Sequence, residues 1–97
     1  MIDNNTSGSL AGRWALVTGA GRRIGAAIVA GLHEAGANVV VHYFKSGEAA
    51  EALVVNLNSA RSESALAIQA DLTDSAALPL LLADVTTTTG RLDVLVN

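Results

Sequence analysis

Four short apolar runs alternate along this chain with three longer segments of helical period, and that alternation restricts the fold more than any other feature. Arg13–Val17 reads RWALV, too short for a helix and fitted to a strand buried on both faces. From Ile24 the period changes: Ile24, Ala27, Ile28, Leu32 and Ala35 fall on one helical face, and Gly36 stands where a left-handed residue ends a helix. Asn38–Tyr43, NVVVHY, predicts a second buried strand from its consecutive valines. The polar loop FKSG leads to a second helix over Glu48–Asn58, and ALAIQADL (Ala65–Leu72) reads as a third strand running into a turn at Asp71. A third helix is expected over Ala76–Thr87, with Pro79 near its start and Gly90 beyond its end. Thr86–Thr89 reads as a frayed terminus. RLDVLVN (Arg91–Asn97) is the fourth strand. The order βαβαβαβ implies an α/β fold with a parallel sheet and helices on both faces.

With 97 residues, 51% of them hydrophobic, the chain suffices for one small domain; at this size roughly 60–65% of the unfolded surface is buried. Residues 1–12, MIDNNTSGSLAG, are small and polar, lack the pattern of a secretory signal and read as a flexible N-terminal tail. The folded portion is then 13–97. It ends on an apolar strand with nothing to cover the sheet edge, so the expectation is the N-terminal part of a larger doubly wound domain. Six basic against nine acidic residues, net charge −3, give no general basic field and argue against nucleic acid as a partner. Without cysteine and with only His33 and His42 as histidines, a metal site is not expected. Apolar runs such as LPLLLADV fall short of the ~20 residues a membrane helix needs. The expectation is a soluble, cytoplasmic protein with no membrane partner.

The loop between the first strand and the first helix, TGAGRRIG (Thr18–Gly25), carries the chemistry. Its glycines do not keep the spacing of the dinucleotide fingerprint, because Ile24 stands where the third glycine would fall and the glycine follows at Gly25. The context supplies what the spacing lacks: a strand precedes, a helix follows, and the strand–helix–strand unit is about 30 residues long, as in a Rossmann-type fold. Gly19 permits a sharp turn, Gly21 a close approach of ligand to backbone, and Gly25 close packing of helix on sheet. Arg22 and Arg23 stand at a helix N-terminus, where cations are unfavourable by themselves. A dinucleotide pyrophosphate with a further ribose phosphate would make them welcome; a plain turn with solvated arginines is the bland alternative.

A site that prefers NAD carries a carboxylate at the end of the second strand, about 20 residues beyond the loop. Here that position falls at His42 and Tyr43, followed by Phe44, Lys45 and Ser46, with no carboxylate before Glu48. Lys45 and Ser46 suit a 2′-phosphate, so NADPH is expected over NADH; the alternative for Lys45 is an ordinary solvated lysine. Asp71 can accept from an adenine amino group with Leu72 against the ring, or cap a turn. His33 is expected on the exposed side of the first helix, Trp14 in the core, and Asp93 in a structural turn.

Thr18-Gly19, Ile24-Gly25 and DVLVN (Asp93–Asn97) together resemble the short-chain dehydrogenase/reductases, whose loop reads Thr-Gly-x-x-x-Gly-x-Gly and whose fourth strand runs into Asn-Asn-Ala-Gly. Arg23 replaces the middle glycine. That replacement, with HYFKS (His42–Ser46) and ADL (Ala70–Leu72), is similar to the pteridine reductase branch. The resemblance covers Leu10 to Asn97. It implies NADPH-dependent reduction of dihydropterins or folates by a homotetramer. Arg23 would reach both pyrophosphate and pterin, Lys45 and Ser46 would hold the 2′-phosphate with His42 and Tyr43 nearby, Asp71 and Leu72 would border the adenine, and Asn97 would shape the strand end under the cofactor. The family's proton donor is a tyrosine with a lysine four residues later. Tyr43 is the sole tyrosine and Gly47 stands four residues on, so no catalytic residue is expected in this segment. Two other readings remain: a short-chain reductase acting on a ketone, sugar or 3-oxoacyl substrate, and a non-catalytic dinucleotide-binding module.

Overall fold

The structure, a computed structural model, describes residues 9–20 and 23–97. Its elements are β1 (Trp14–Val17), α1 (Arg23–Glu34), β2 (Asn38–Tyr43), α2 (Gly47–Ala60), β3 (Ala65–Gln69), α3 (Ala77–Thr89) and β4 (Val94–Val96). All strand pairs are parallel, and the sheet order is β3-β2-β1-β4. The α/β arrangement expected from the alternation is therefore what forms. The chain winds outward through β1, β2 and β3, then crosses back to lay β4 on the other side of β1. The reversal creates a crevice outside the carboxyl ends of β1 and β4, the place where open α/β sheets take ligands.

Alternation along the strands splits the core in two. Ala15, Val17, Val39, Val41 and Ala65 face α1 and α2, where they meet Val29, Val54 and Leu57. Leu16 and Val40 point the other way, onto Leu81 and Val85 of α3. Strands covered on both faces must be apolar at successive positions, and this accounts for the uninterrupted valines of β2. Trp14 packs at the edge of the α3 cluster.

Four expectations are corrected. His33 is not on the surface; it is buried against β3, its Nε2 2.7 Å from the Ser64 hydroxyl. The Ser64 hydroxyl in turn donates to the Arg61 carbonyl, while the Arg61 guanidinium donates to the carbonyls of His33 and Ala37. This network satisfies the polar atoms that close packing of α1 on α2 buries. Of the face expected on α1, Ile28 and Leu32 pack against the core, but its fully buried residues are Val29 and His33 and Ile24 is 78% exposed. Thr86–Thr89 are not frayed: Thr86 and Thr89 hydroxyls donate back to the Leu82 and Val85 carbonyls, both at 2.8 Å. Gly90 closes the helix with its N–H on the Thr86 carbonyl. Finally, β4 begins only at Val94, because Arg91 and Asp93 are engaged with each other and with Trp14 at the strand's start.

Pro79 occupies the third position of α3, where its missing N–H has no helical partner to lose. Residues 10–12, expected within the tail, make a turn in which the Leu10 N–H reaches the Ala35 carbonyl at 3.0 Å.

Candidate functional site

The four strands deliver their carboxyl ends to one rim of the sheet. At the end of β1, Gly19 has φ +64°, a conformation a side chain rarely tolerates. Thr18 donates its N–H to the Val96 carbonyl at 3.0 Å and its hydroxyl to Asn97 Oδ1 at 2.8 Å, so the ends of β1 and β4 are joined side by side. Gly25 enters from α1. A Cβ there would lie 2.6 Å from the Ala20 Cα and 2.7 Å from the Gly19 carbonyl oxygen, closer than real contacts allow. The third glycine of the loop is thus required by packing of α1 on the loop itself, whereas the sequence predicts packing of the helix on the sheet.

His42, at the end of β2, is 4% exposed and lies beneath the loop. Its Nδ1 is 3.0 Å from the Gly19 nitrogen and its Nε2 is 2.8 Å from the Ala70 carbonyl oxygen. A backbone N–H can only donate, so Nδ1 accepts, and the proton sits on Nε2 and goes to Ala70. The His42 carbonyl also accepts the Ala20 N–H at 2.9 Å. Both ring nitrogens are therefore committed to the protein. The resemblance sets His42 near the 2′-phosphate rather than on it; the residue lines the same cavity as Lys45 and Ser46 while its ring nitrogens bond Gly19 and Ala70.

That cavity, of about 290 Å³, is lined by Gly19, His42, Tyr43, Phe44, Lys45 and Ser46. Tyr43 is half-buried against the α2 side of the core, with Gly47 so close that a Cβ there would meet its ring at 3.2 Å. The Lys45 ammonium lies 5.4 Å from the centre of the exposed Phe44 ring. Ser46 precedes α2 yet makes no capping hydrogen bond through its hydroxyl. On the far side of the rim, Asp71 Oδ1 accepts from the Thr73 N–H at 3.0 Å and from the Thr73 hydroxyl at 2.6 Å. Those bonds, and after them the charge of Lys45, hold its carboxyl below the ordinary value. Asp71 thus forms a turn, the alternative the sequence left open. Leu72 is half-buried against the α3 core.

Arg23 is exposed at the first position of α1 and Ile24 beside it is exposed too. Gly21 and Arg22, expected at the cofactor, lie outside the described residues. The rim therefore brings Gly19, Gly25, His42, Tyr43, Lys45 and Ser46 around one loop and cavity, Asp71 within electrostatic reach of Lys45, and Asn97 beside Thr18. Sequence reasoning missed Ala20 and Ala70, whose backbone atoms meet His42. Nothing in their side chains signals it. Asp93 belongs to the opposite end of the sheet, where it accepts the Trp14 N–H at 2.9 Å and pairs with Arg91 at 2.7 Å.

A larger open groove, about 720 Å³, runs past Ala30, Gly31, Glu34 and Arg61 toward the end of α1. It lies away from the strand ends that gather the loop, and the smaller cavity is the one that opens at the carboxyl end of β2 beside Gly19.

The short chain dehydrogenase family model matches residues 13–97. The chain belongs to that family. Its members are oxidoreductases that bind NAD or NADP, in keeping with the loop at β1 and the crevice between β1 and β4. Among individual proteins, versicolorin reductase 1 of Aspergillus parasiticus is 49% identical over 94 residues, covering 97% of this chain and 34% of that protein. A hydroxynaphthalene reductase of Aspergillus fumigatus is 41% identical over 97 residues, all of this chain and 35% of the relative. A 3-oxoacyl-acyl-carrier-protein reductase of Staphylococcus aureus is 45% identical over 83 residues, 86% of this chain and 33% of the relative. The chain spans about a third of the length of these relatives. None of the three is named as a pteridine reductase, so the family assignment stands without that branch.

Proposed function

We propose that this chain forms the nucleotide-binding part of an NADPH-dependent short-chain reductase whose substrate is a carbonyl compound of the hydroxylated aromatic kind. The observation that carries the cofactor choice is the cavity at the end of β2. Lys45 and Ser46 line it, and no acidic residue occurs between the strand and Glu48. A 2′-phosphate meets a cation and an uncommitted hydroxyl there, whereas a carboxylate would repel it. In this reading the N–H groups at the start of α1 face the pyrophosphate, with Gly19, Gly21, Arg22, Arg23, Ile24 and Gly25 forming the loop around it. Tyr43 walls the ribose, Asp71 and Leu72 border the adenine, and Asn97 lies below the nicotinamide end. The bound nicotinamide supplies the hydride; the protein's part here is to hold and orient it.

The substrate class is supported by relatives named for versicolorin and hydroxynaphthalene reduction, which match 97% and 100% of this chain. The dihydropterin reading rests on Arg23 and on HYFKS, within which both His42 ring nitrogens are taken up by Gly19 and Ala70. The full protein is taken as a cytoplasmic homotetramer. The test is consumption of NADPH by the full-length protein with three carbonyl sources: a hydroxynaphthalene, a 3-oxoacyl thioester and a dihydropterin. Turnover of the hydroxynaphthalene well above the others is expected. Preference for the dihydropterin, together with its loss in Arg23→Gly, would reverse the substrate assignment.

A further inference from the structure

We propose that His42 is a positioning residue that presets the nucleotide loop without touching the nucleotide, and this rests on the cofactor reading above. Three hydrogen bonds carry it. The imidazole takes the Gly19 N–H on Nδ1 at 3.0 Å and gives its Nε2 proton to Ala70 at 2.8 Å, while the His42 carbonyl takes the Ala20 N–H at 2.9 Å. One residue thereby ties together the chain just beyond β1, β2 and β3. Gly19 is the point where the chain enters the left-handed region, at φ +64°, and a glycine there has many accessible conformations in the absence of a restraint. The imidazole supplies that restraint from a side chain that is itself 4% exposed.

A consequence follows for anion binding. The Gly19 N–H is already satisfied, so it is not a donor to a phosphate. The pyrophosphate is served by the N–H groups further along, at the start of α1. Both ring nitrogens have protein partners, which leaves Lys45 and Ser46 as the side chains that discriminate between the two nicotinamide cofactors. Affinity and selectivity are therefore assigned to different residues: His42 governs how tightly either cofactor binds, and Lys45 and Ser46 govern which one.

The experiment compares wild type, His42→Leu and His42→Asn in the full-length protein. Dissociation constants are measured for NADPH and NADH, alongside thermal midpoints and amide hydrogen exchange at Gly19 and Ala20. His42→Leu removes both ring hydrogen bonds and is expected to weaken NADPH and NADH by a similar factor, about tenfold, with faster exchange at Gly19. His42→Asn retains an acceptor close to the Nδ1 position and is expected to recover most of the affinity for both. Loss confined to NADPH would make His42 a phosphate ligand and overturn the proposal. So would a fall in thermal midpoint with both dissociation constants unchanged. A wild-type protein that binds neither nucleotide overturns the cofactor reading instead. The restraint itself is then judged by exchange at Gly19, and unchanged exchange in both variants overturns it.

Discussion

The Nδ1 atom of His42 accepts the backbone N–H of Gly19 at 3.0 Å, across 23 residues of chain. The bond joins the residue after β1 that turns left-handed to a buried side chain on the neighbouring strand. Around it the loop is held by packing as well: Gly25 is pressed so close to Ala20 and Gly19 that no Cβ fits. Gly19 and Ala20 are thus held from both sides, by a histidine beneath and a helix beside.

Gly25→Ala tests the packing half of that statement. The added Cβ would sit 2.6 Å from a backbone atom rather than from a movable side chain. Overpacking of this kind costs about 1–3 kcal/mol. Denaturant unfolding should register that loss, with weaker binding of both nicotinamide cofactors. Gly31→Ala is the control, since a Cβ there meets nothing within 4 Å. It should be neutral or stabilising by up to about 1 kcal/mol, because alanine is the better helix former.

Lys45→Glu tests the charge at the cavity. The substitution sets a carboxylate where a 2′-phosphate would lie, so NADPH should weaken by about tenfold or more while NADH changes little. Fluorescence titration with each nucleotide measures the ratio. Equal losses for the two would remove Lys45 from the phosphate site.

His33 sets a pH dependence of stability. Burial first, and then the nearby Arg61 charge, lower its pKa in the folded state from the ordinary 6.5. The unfolded chain then binds more protons just below that value, so its share of stability is present above pH 6.5 and lost as the pH falls below it. His33→Gln keeps a donor near Ser64 without the titration. Thermal midpoints measured from pH 7.5 down to about 5 should fall less steeply for the variant than for wild type. Parallel curves would assign the acid sensitivity to other groups.

Much of this was legible in the sequence because it depends on local period. Short valine-rich runs separated by helical segments specify buried parallel strands, and NVVVHY could hardly be anything else. Gly19 and Gly25 were legible too, since a left-handed turn at the one and close packing at the other are what the strand–helix context implies. What the sequence concealed depends on contacts between distant residues. His33 looked like a surface residue because its partner, Ser64, lies 31 residues away. His42 read only as a neighbour of the phosphate residues, and its bonds to Gly19 and Ala70, 23 and 28 residues away, left no local signal. Thr86–Thr89 looked frayed because threonine is a poor helix former, but hydroxyls bonded back to Leu82 and Val85 hold the final turn.

The reversal of winding between β3 and β4 divides the assembly of this rim in time as well as in space. The union of Gly19 with His42 closes a span of 23 residues, whereas that of Thr18 with Asn97 closes 79. Closing the longer span costs more chain entropy, and contacts distant in sequence form more slowly. The side of the crevice built by β1, β2 and β3 can therefore take shape while β4 is still unpaired.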